Sequence, residues 1–319
     1  MSDRVRGGTV AVLGFGNQGE AQALNLRDAG VRVIVGARPG REAEKRAREN
    51  RFEVFDLPEA AVRASVIAVL IPDEAVALAW PAIASSARNE AAFVFAHGFN
   101  LLYAEPSFGK RQDVVLVSPT APGRVLRAVR DAGNHLPAYI AVHRDPGGLA
   151  WDLASQYAAA IGCAPLWRTT VREETEVDLF GEQAVLCGGM NALVRAAFEA
   201  LVERGYSPAI AYLECVHQLK YLADLLHERG IAGMRRGISG TALYGDLTRG
   251  PRVIGPASRS AMREILDEVQ SGAFAREWLA EVRAGRKTLE AELRSQDSHP
   301  IEAARQEALE TDGTRERKG

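Results

Sequence analysis

Short apolar runs recur along the first half of the chain and alternate with stretches of helical pattern. Several runs are rich in β-branched residues, which is typical of strands buried in a parallel sheet. The runs lie at Thr9–Leu13, Val31–Gly36, Ser65–Ile71, Ala92–Ala96, Asp113–Val117 and Ala138–Val142, with a last one near Pro165–Trp167. Helical patterns fall between them, as at Glu20–Asp28 and Gly148–Ile161. This alternation predicts an α/β fold, a Rossmann-type doubly wound sheet that is mostly parallel.

Helical periodicity replaces the strand-like runs beyond about Thr169. One helix is predicted from about Pro208 to Arg229, and helices from Ser260 to Glu281 with a break at Gln270–Gly272. From about Ser295 the chain is polar and charged, which is typical of a disordered tail. The sequence therefore predicts a Rossmann domain at residues 1–168, an all-helical domain at residues 169–294 and a disordered tail at residues 295–319.

Composition and charge narrow the class of protein. A length of 319 residues suits two domains, and a formal net charge of −2 gives no general attraction to nucleic acid or anionic membranes. Three widely spaced cysteines in apolar contexts favour buried thiols in a reducing compartment. The first residues lack a signal-peptide pattern, and no apolar run approaches the ~18 residues that a spanning helix needs. We expect a cytoplasmic protein that acts on a small molecule, without a nucleic-acid or membrane partner.

A glycine-rich motif follows the first predicted strand directly and precedes a predicted helix. Its residues are Gly14, Phe15, Gly16, Asn17, Gln18 and Gly19, which match G-x-G-x-x-G. In this context the first glycine permits a tight turn, the second lets backbone amides approach a pyrophosphate, and the third lets helix and strand pack closely. The helix N-terminus adds partial positive charge. The motif therefore predicts a dinucleotide cofactor, and a glycine turn without a ligand is the alternative.

Two arginines follow the second predicted strand, where an NAD enzyme usually places an acid for the ribose 2′-hydroxyl. The chain has Arg38 and Arg41 there and no acid before Glu42. Guanidinium groups can bind a 2′-phosphate that a carboxylate would repel. The pattern favours NADP(H) over NAD(H), unless both arginines are only solvated loop residues.

Further candidates lie where other strands end, because ligands of such sheets bind beyond the carboxyl ends of the strands. Pro72 and Asp73 follow the third run, His97 follows the fourth, and the segment Ser118–Arg124 follows the fifth. His97 could orient a substrate or transfer a proton. The alternative is a histidine that only binds loop backbone.

Oxygen-bearing side chains form two pairs in the helical half. Asp178 and Glu182 are four residues apart, as are Glu214 and Gln218, so each pair lies on one face of a regular helix. Carboxylates beside an apolar run are costly to bury unless a cation or partner compensates them. Such oxygen ligands suit Mg²⁺. Solvated acids that favour a helix terminus are the alternative reading.

The segment Gly237–Asp246 is rich in small and hydroxyl-bearing residues. We interpret it as a loop that could bind a carboxylate, or as an ordinary turn.

Several specific stretches resemble the short-form ketol-acid reductoisomerases over roughly residues 8 to 290. They are Gly14–Gly19, Leu70–Glu74, His97–Asn100, Glu173–Gly189, Glu214–His217, Tyr244–Asp246 and Gly250–Arg252. The resemblance implies NADPH, two Mg²⁺ ions, and a reaction that shifts an alkyl group in a 2-acetohydroxy acid and then reduces the 2-keto acid, in branched-chain amino-acid synthesis. It also implies a knotted helical domain and a homodimer, or higher oligomer, whose subunits share each active site.

Carried over by position, the resemblance makes Asp178, Glu182 and Glu214 metal ligands at the catalytic centre, His97 the active-site histidine and Ser239 the serine that holds the substrate carboxylate. Three positions depart from the family pattern. Thr120 stands where the family has its catalytic lysine, Gln218 where it has a second glutamate, and Leu243 where it has an acid. All three would line the substrate pocket.

These departures affect the alkyl shift more than hydride transfer, because the shift needs two cations to stabilise developing charge. We therefore expect an NADPH-dependent reductase of a small 2-keto acid or an imine, including a cyclic one, in a specialised biosynthetic pathway, with Mg²⁺ doubtful. The alternatives are a genuine reductoisomerase and an inactive NADP-binding homologue.

Overall fold

A computed structural model describes residues 3–310 of the chain. These residues divide after Val177 into two compact units. The boundary predicted after residue 168 thus falls later, because the first turns of the next helix still pack on the sheet. Val171 joins the core beneath the sheet, and Glu174 and Thr175 are buried.

The first unit alternates strands and helices. Its strands are β1 Thr9–Leu13, β2 Arg32–Gly36, β3 Glu53–Phe55, β4 Val66–Val69, β5 Ala92–Phe95, β6 Val114–Pro119, β7 Leu136–Arg144 and β8 Cys163–Arg168. Its helices are α1 Asn17–Asp28, α2 Glu42–Glu49, α3 Leu57–Arg63, α4 Asp73–Ser86, α5 Gly123–Asp131 and α6 Ala150–Ala160, with a π-helical segment at Asn100–Ala104. The α7 helix, Val171–Gly181, crosses the boundary between the units.

The eight strands form one sheet in the order β3-β2-β1-β4-β5-β6-β7-β8. Neighbouring strands are parallel except β6 and β7, which are antiparallel. The β1 strand is fully buried beyond its first residue, between β2 on one side and β4 on the other. The chain reverses its winding direction there, so the carboxyl end of β1 opens into the crevice where such folds bind ligands. The predicted Rossmann-type sheet is confirmed.

The β3 strand was missed by the sequence analysis. It has three residues, lies at the edge of the sheet and is only partly buried. Its sequence Glu53-Val54-Phe55 is too short to show a hydrophobic period.

The second unit is helical. Its elements are a π-helical segment at Glu182–Leu186, α8 Gly188–Glu203, α9 Pro208–Tyr212, a π-helical segment at Leu213–His217, α10 Gln218–Arg236, α11 Gly240–Val253, α12 Pro256–Gln270, α13 Ala273–Arg283, α14 Lys287–Asp297 and α15 Pro300–Glu310. Phe198, Ala211, Tyr212 and Ala304 form one buried cluster in it. The predicted break at Gln270–Gly272 separates α12 from α13, with Gly272 in the left-handed region at φ 71°.

Three predictions for this unit need correction. The helix predicted at Pro208–Arg229 is divided by a π-helical segment, and the run that follows it extends to Arg236 with a kink at Gly230 (φ 65°), directly after the predicted end. Most of Gly237–Asp246, predicted to be a loop, begins α11. The tail predicted to lack structure from residue 295 instead completes α14 and forms α15, because Ala304 packs into the cluster with Phe198 and Tyr212. Residues 311–319 of that predicted tail lie outside the described residues.

One continuous helical run, Val171–Glu203, is long and apolar enough to cross a bilayer by length and composition alone. Its mean hydropathy is high, although it contains no long run of consecutive apolar residues and was therefore not predicted from the sequence. Its apolar window is 6% buried, and Val185, Leu186, Met190 and Leu193 are exposed. A single such helix is weak evidence for a membrane, whereas an exposed apolar surface of this kind is typical of a protein interface.

Candidate functional site

The glycine turn after β1 has the backbone geometry that its sequence predicts. Gly14 adopts φ 98°, in the left-handed region that favours glycine, and its N–H donates to the Gly36 carbonyl at 2.8 Å. A Cβ on Gly19 would lie 2.1 Å from the Gly14 carbonyl oxygen, so only glycine lets α1 approach β1 this closely. A Cβ on Gly16 would meet open space, which leaves room for a ligand beside the backbone.

The first turn of α1 can accept an anion. Gly16 is the N-cap residue and supplies no side-chain acceptor, while Gly16 and Asn17 are exposed. Unpaired N–H groups and the helix dipole then favour a phosphate at this position. Phe15 points away from it, because its ring is buried and packs edge-to-face on Phe52 at 5.7 Å between centroids. A dinucleotide pyrophosphate therefore fits this turn.

Arg38 and Arg41 lie beyond the carboxyl end of β2, both exposed. Within residues 3–310 neither side chain makes an ion pair or hydrogen bond. Glu44, the second acid downstream, is already engaged by the Gly40 N–H at 2.7 Å and by Arg48. The two guanidinium groups thus remain available for a phosphate, which fits the predicted preference for NADP(H).

His97 lies beyond the carboxyl end of β5 and contacts a buried acid. Its Nδ1 lies 3.4 Å from Glu174 Oε1, and the Glu174 side chain is 1% exposed, against 21% for His97. The second Glu174 oxygen accepts a hydrogen bond from the Gly98 N–H at 3.1 Å. A carboxylate in contact with an imidazole fixes the orientation of the ring. His97 is therefore held in place with one edge partly open to solvent.

A second acid, Asp73, belongs to the same cluster of charges. Its Oδ1 accepts a hydrogen bond from Asn100 Nδ2 at 2.8 Å. Burial raises the pKa of Asp73 above its ordinary value, and the positive charge of His97 and the Asn100 hydrogen bond oppose that rise. The cluster in the first unit thus consists of one histidine, two acids and one amide.

Sequence reasoning missed Glu174 and Asn100. Glu174 lies in the acidic run Glu173–Glu176 near the start of α7, and its burial distinguishes it from the other two acids of the run. Asn100 belongs to the quoted His97–Asn100 stretch, but its amide contact with Asp73 depends on the adjacent ends of β4 and β5.

Thr120 does not offer its hydroxyl to the crevice. Its Oγ1 donates to the Pro137 carbonyl at 2.9 Å, and its backbone N–H donates to the same oxygen at 3.1 Å. The residue is exposed, but both of its donors bind the neighbouring strand β7. The position therefore supplies neither a cation nor an available proton donor.

The predicted metal ligands of the second unit lie at transitions between α- and π-helix. Glu182 begins the first π-helical segment of that unit and Glu214 lies in the second, so the four-residue spacing no longer puts each pair on one regular helix face. Gln218 Nε2 donates to Glu214 Oε2 at 2.6 Å. An amide nitrogen cannot bind a cation. Asp178 and Glu182 each keep a carboxylate, whereas Glu214 and Gln218 together offer one carboxylate, which is already hydrogen-bonded.

Ser239 is the N-cap residue of α11. Its Oγ accepts a hydrogen bond from the Ala242 N–H at 3.3 Å and lies 3.1 Å from Thr241 Oγ1. Leu243 is half-buried in the first turn of that helix. The serine thus has a structural role in addition to its predicted contact with a substrate carboxylate.

Together, the doubly wound sheet, the glycine turn and the polar cluster beyond β4 and β5 define an oxidoreductase that uses a nicotinamide cofactor. Two family models match most of the chain: the NADPH-binding domain of acetohydroxy acid isomeroreductase over residues 4–166, and the C-terminal domain of ketol-acid reductoisomerase over residues 171–311. The chain belongs to the ketol-acid reductoisomerase family.

Solved structures agree with this assignment. An NADH-preferring ketol-acid reductoisomerase from an uncultured archaeon is 36% identical, with a TM-score of 0.94 and 98% of each chain covered. A semialdehyde dehydrogenase NAD-binding protein from Cupriavidus necator, 19% identical with a TM-score of 0.63, covers 83% of this chain and 99% of its own. A pyrroline-5-carboxylate reductase from Coxiella burnetii, 14% identical with a TM-score of 0.60, covers 82% of this chain and 97% of its own. The last two share the fold alone.

These comparisons confirm the predicted family, fold class, oxidoreductase activity and nicotinamide cofactor. The roles of individual site residues stay predictions.

Proposed function

We propose that this chain is an NADPH-dependent reductase of a small 2-keto acid or an imine, including a cyclic imine, that omits the alkyl shift. The observation that carries the proposal is the hydrogen bond from Gln218 to Glu214 at 2.6 Å. It puts a neutral donor where a second carboxylate would strengthen a cation site. A place in a specialised biosynthetic pathway follows from a reductase of this kind.

The groups that an alkyl shift requires are weakened at three positions. The shift develops negative charge on two oxygens, and cations stabilise that charge. Gln218 adds no negative charge to hold a cation, Thr120 directs its hydroxyl to the Pro137 carbonyl, and Leu243 is apolar. A divalent cation bound by Asp178 and Glu182 would supply charge stabilisation at a carbonyl oxygen. The reduction proposed here does not depend on it.

The groups that hydride transfer requires are present in the first unit. The bound nicotinamide supplies the hydride. The glycine turn binds the pyrophosphate, and His97, oriented by Glu174, lies at the carboxyl edge of the sheet where it can donate a proton to the reduced oxygen or nitrogen. Asp73 and Asn100 fix the neighbouring start of α4.

The preference for NADPH rests on Arg38 and Arg41. Both guanidinium groups are exposed beyond β2. The first acid after that strand is Glu42, which follows both arginines. The archaeal relative is described as NADH-preferring, so membership of the family does not decide the cofactor.

A homodimer or higher oligomer with shared active sites, located in the cytoplasm, completes the proposal. The exposed apolar residues of α8 and the preceding π-helical segment offer a surface for a second copy. Cys163, Cys187 and Cys215 are free thiols, as in a reducing compartment, but of the three predicted buried thiols only Cys163 is buried.

The deciding experiment measures NADPH oxidation by the purified protein with a panel of 2-keto acids and imines, before and after chelation with EDTA. We expect turnover of at least one compound that survives chelation. Turnover of 2-acetolactate with Mg²⁺ at ordinary enzyme rates, lost on chelation, would instead identify a genuine reductoisomerase. NADPH binding without oxidation of any compound would identify an inactive homologue.

A further inference from the structure

The α1 helix turns amide side chains towards the protein interior. Gln22 and Asn25 are fully buried, and Gln18 lies one turn before Gln22, half-buried. A buried amide is costly unless its donors and acceptors are paired. Each of these three amides is hydrogen-bonded within the protein.

Three side chains form a continuous chain of hydrogen bonds that we term the amide relay: Tyr157, Gln22 and Gln18. The Tyr157 hydroxyl donates to Gln22 Oε1 at 2.9 Å, and Gln22 Nε2 donates to Gln18 Oε1 at 3.0 Å. Gln18 Nε2 then donates to the Ala121 carbonyl at 3.0 Å. The direction of the relay is fixed, because a carbonyl oxygen can only accept. Burial raises the pKa of Tyr157, which keeps its hydroxyl proton in place.

The relay ends on the segment 119–123, which runs from the last residue of β6 to the first residue of α5 and packs against the cofactor turn. A Cβ on Gly123 would lie 2.0 Å from the Asn17 carbonyl oxygen, so the start of α5 directly contacts the start of α1. Thr120 ties the other side of the loop to the Pro137 carbonyl. The Gln18 side-chain amide thus hydrogen-bonds this loop to the glycine turn.

We propose that Gln18 is a positioning residue that fixes the 119–123 loop against the dinucleotide-binding turn before the cofactor arrives. The Ala121 carbonyl can only accept, so it holds the Gln18 nitrogen, while Gln22 binds the Gln18 oxygen from the interior and adds to the stability of the fold. The loop then forms a wall of the cofactor crevice whose position does not have to be ordered during binding. The inference needs the nicotinamide cofactor and not the identity of the substrate.

The test compares Gln18→Met with Gln22→Met. Methionine keeps the length of the side chain but cannot donate to the Ala121 carbonyl. Fluorescence titration should show NADPH binding about tenfold weaker in Gln18→Met, which corresponds to a lost, well-placed hydrogen bond. Gln22→Met breaks the interior part of the relay and leaves the bond to Ala121, so we expect NADPH affinity within about twofold of the wild type and a lower melting temperature.

Hydrogen exchange separates positioning from direct contact with the cofactor. In the absence of NADPH, the backbone amides of Thr120, Ala121 and Gly123 should exchange faster in Gln18→Met than in the wild type and in Gln22→Met. Unchanged exchange with weaker NADPH binding would mean that Gln18 contacts the cofactor itself. Equal NADPH affinity in the two variants would reduce the relay to a stabilising role. Either result overturns the proposal, and neither depends on which compound the enzyme reduces.

Discussion

The side-chain amide of Gln218 donates a hydrogen bond to the carboxylate of Glu214, its neighbour one helical turn earlier, at 2.6 Å. A carboxylate can only accept, so the amide nitrogen, and not the amide oxygen, faces Glu214. The pair is exposed and lies where a π-helical segment meets α10. This bond compensates the Glu214 carboxylate without a cation. A second carboxylate at position 218 could not donate such a bond.

Replacing Gln218 with glutamate should create a cation site. Two carboxylates at this spacing repel each other and are stabilised by a divalent ion between them. We expect Gln218→Glu to bind Mg²⁺ at least about tenfold more tightly than the wild type in isothermal titration calorimetry. Gln270→Glu, at the exposed end of α12, is the matched control for the added charge. Equal Mg²⁺ affinity in the two variants would show that Gln218 does not limit cation binding.

Arg38 should determine the preference between the two cofactors. Arg38→Asp puts a carboxylate where a 2′-phosphate would lie, and like charges repel. We expect KM for NADPH to rise at least about tenfold while KM for NADH changes by less than about twofold. Arg32→Asp, at the opposite end of β2, should leave both values unchanged. Equal effects of Arg38→Asp on the two cofactors would refute its role.

Glu174 should act on turnover through His97. In Glu174→Gln the amide oxygen can still accept from the Gly98 N–H, but the negative charge beside His97 Nδ1 is lost. We expect kcat to fall about ten- to a hundredfold, with KM for NADPH and the melting temperature little changed. Glu173→Gln is the control, because Glu173 is exposed and binds Thr169. A proportional loss of kcat in both variants would falsify the assignment.

Asp73 should make stability depend on pH in the acid range. Because burial raises its pKa in the folded protein above 3.8, the folded state binds the proton more tightly than the unfolded state. Below about pH 3.8 Asp73 is protonated in both states, so its burial does not reduce the free energy of unfolding. As the pH rises through the raised pKa, ionisation of the buried carboxyl group increasingly destabilises the folded state. We expect the free energy of unfolding of Asp73→Asn, relative to the wild type, to increase as the pH rises above about 4.

Chemical denaturation at several pH values measures this difference. Asp152→Asn removes an acid from the first turn of α6 and controls for the general effect of charge at a helix start. A pH-independent difference for Asp73→Asn would show that its carboxyl group is not destabilised by burial.

The sheet and the cofactor turn could be predicted from sequence because each depends on local signals. Thr9–Leu13 is an apolar run that leads into Gly14–Gly19, and both the strand and the turn are confirmed. The edge strand at Glu53–Phe55 gave no such signal. The tail prediction was wrong because polarity alone cannot reveal that Ala304 packs against Phe198 and Tyr212, residues far away in sequence.

The site was harder to predict, because partners are decided by tertiary contacts. Nothing local to Glu174 shows that it, and not Glu173, is buried against His97. Likewise, no hydrophobic period in the sequence distinguishes the π-helical segments from an ordinary α-helix. These segments lie at Glu182–Leu186 and Leu213–His217. The prediction that Asp178 and Glu182 share one helix face assumed a regular α-helix, whereas a π-helical segment begins at Glu182.

The small buried cluster of the second unit has a consequence for how the protein unfolds. Phe198, Ala211, Tyr212 and Ala304 form it, while many large apolar side chains of the unit are exposed. If a second copy covers them, association contributes to the unit's stability by mass action. Its thermal transition should then shift upwards as the protein is concentrated, while the transition of the sheet unit stays fixed. Dilution should melt the helical unit first.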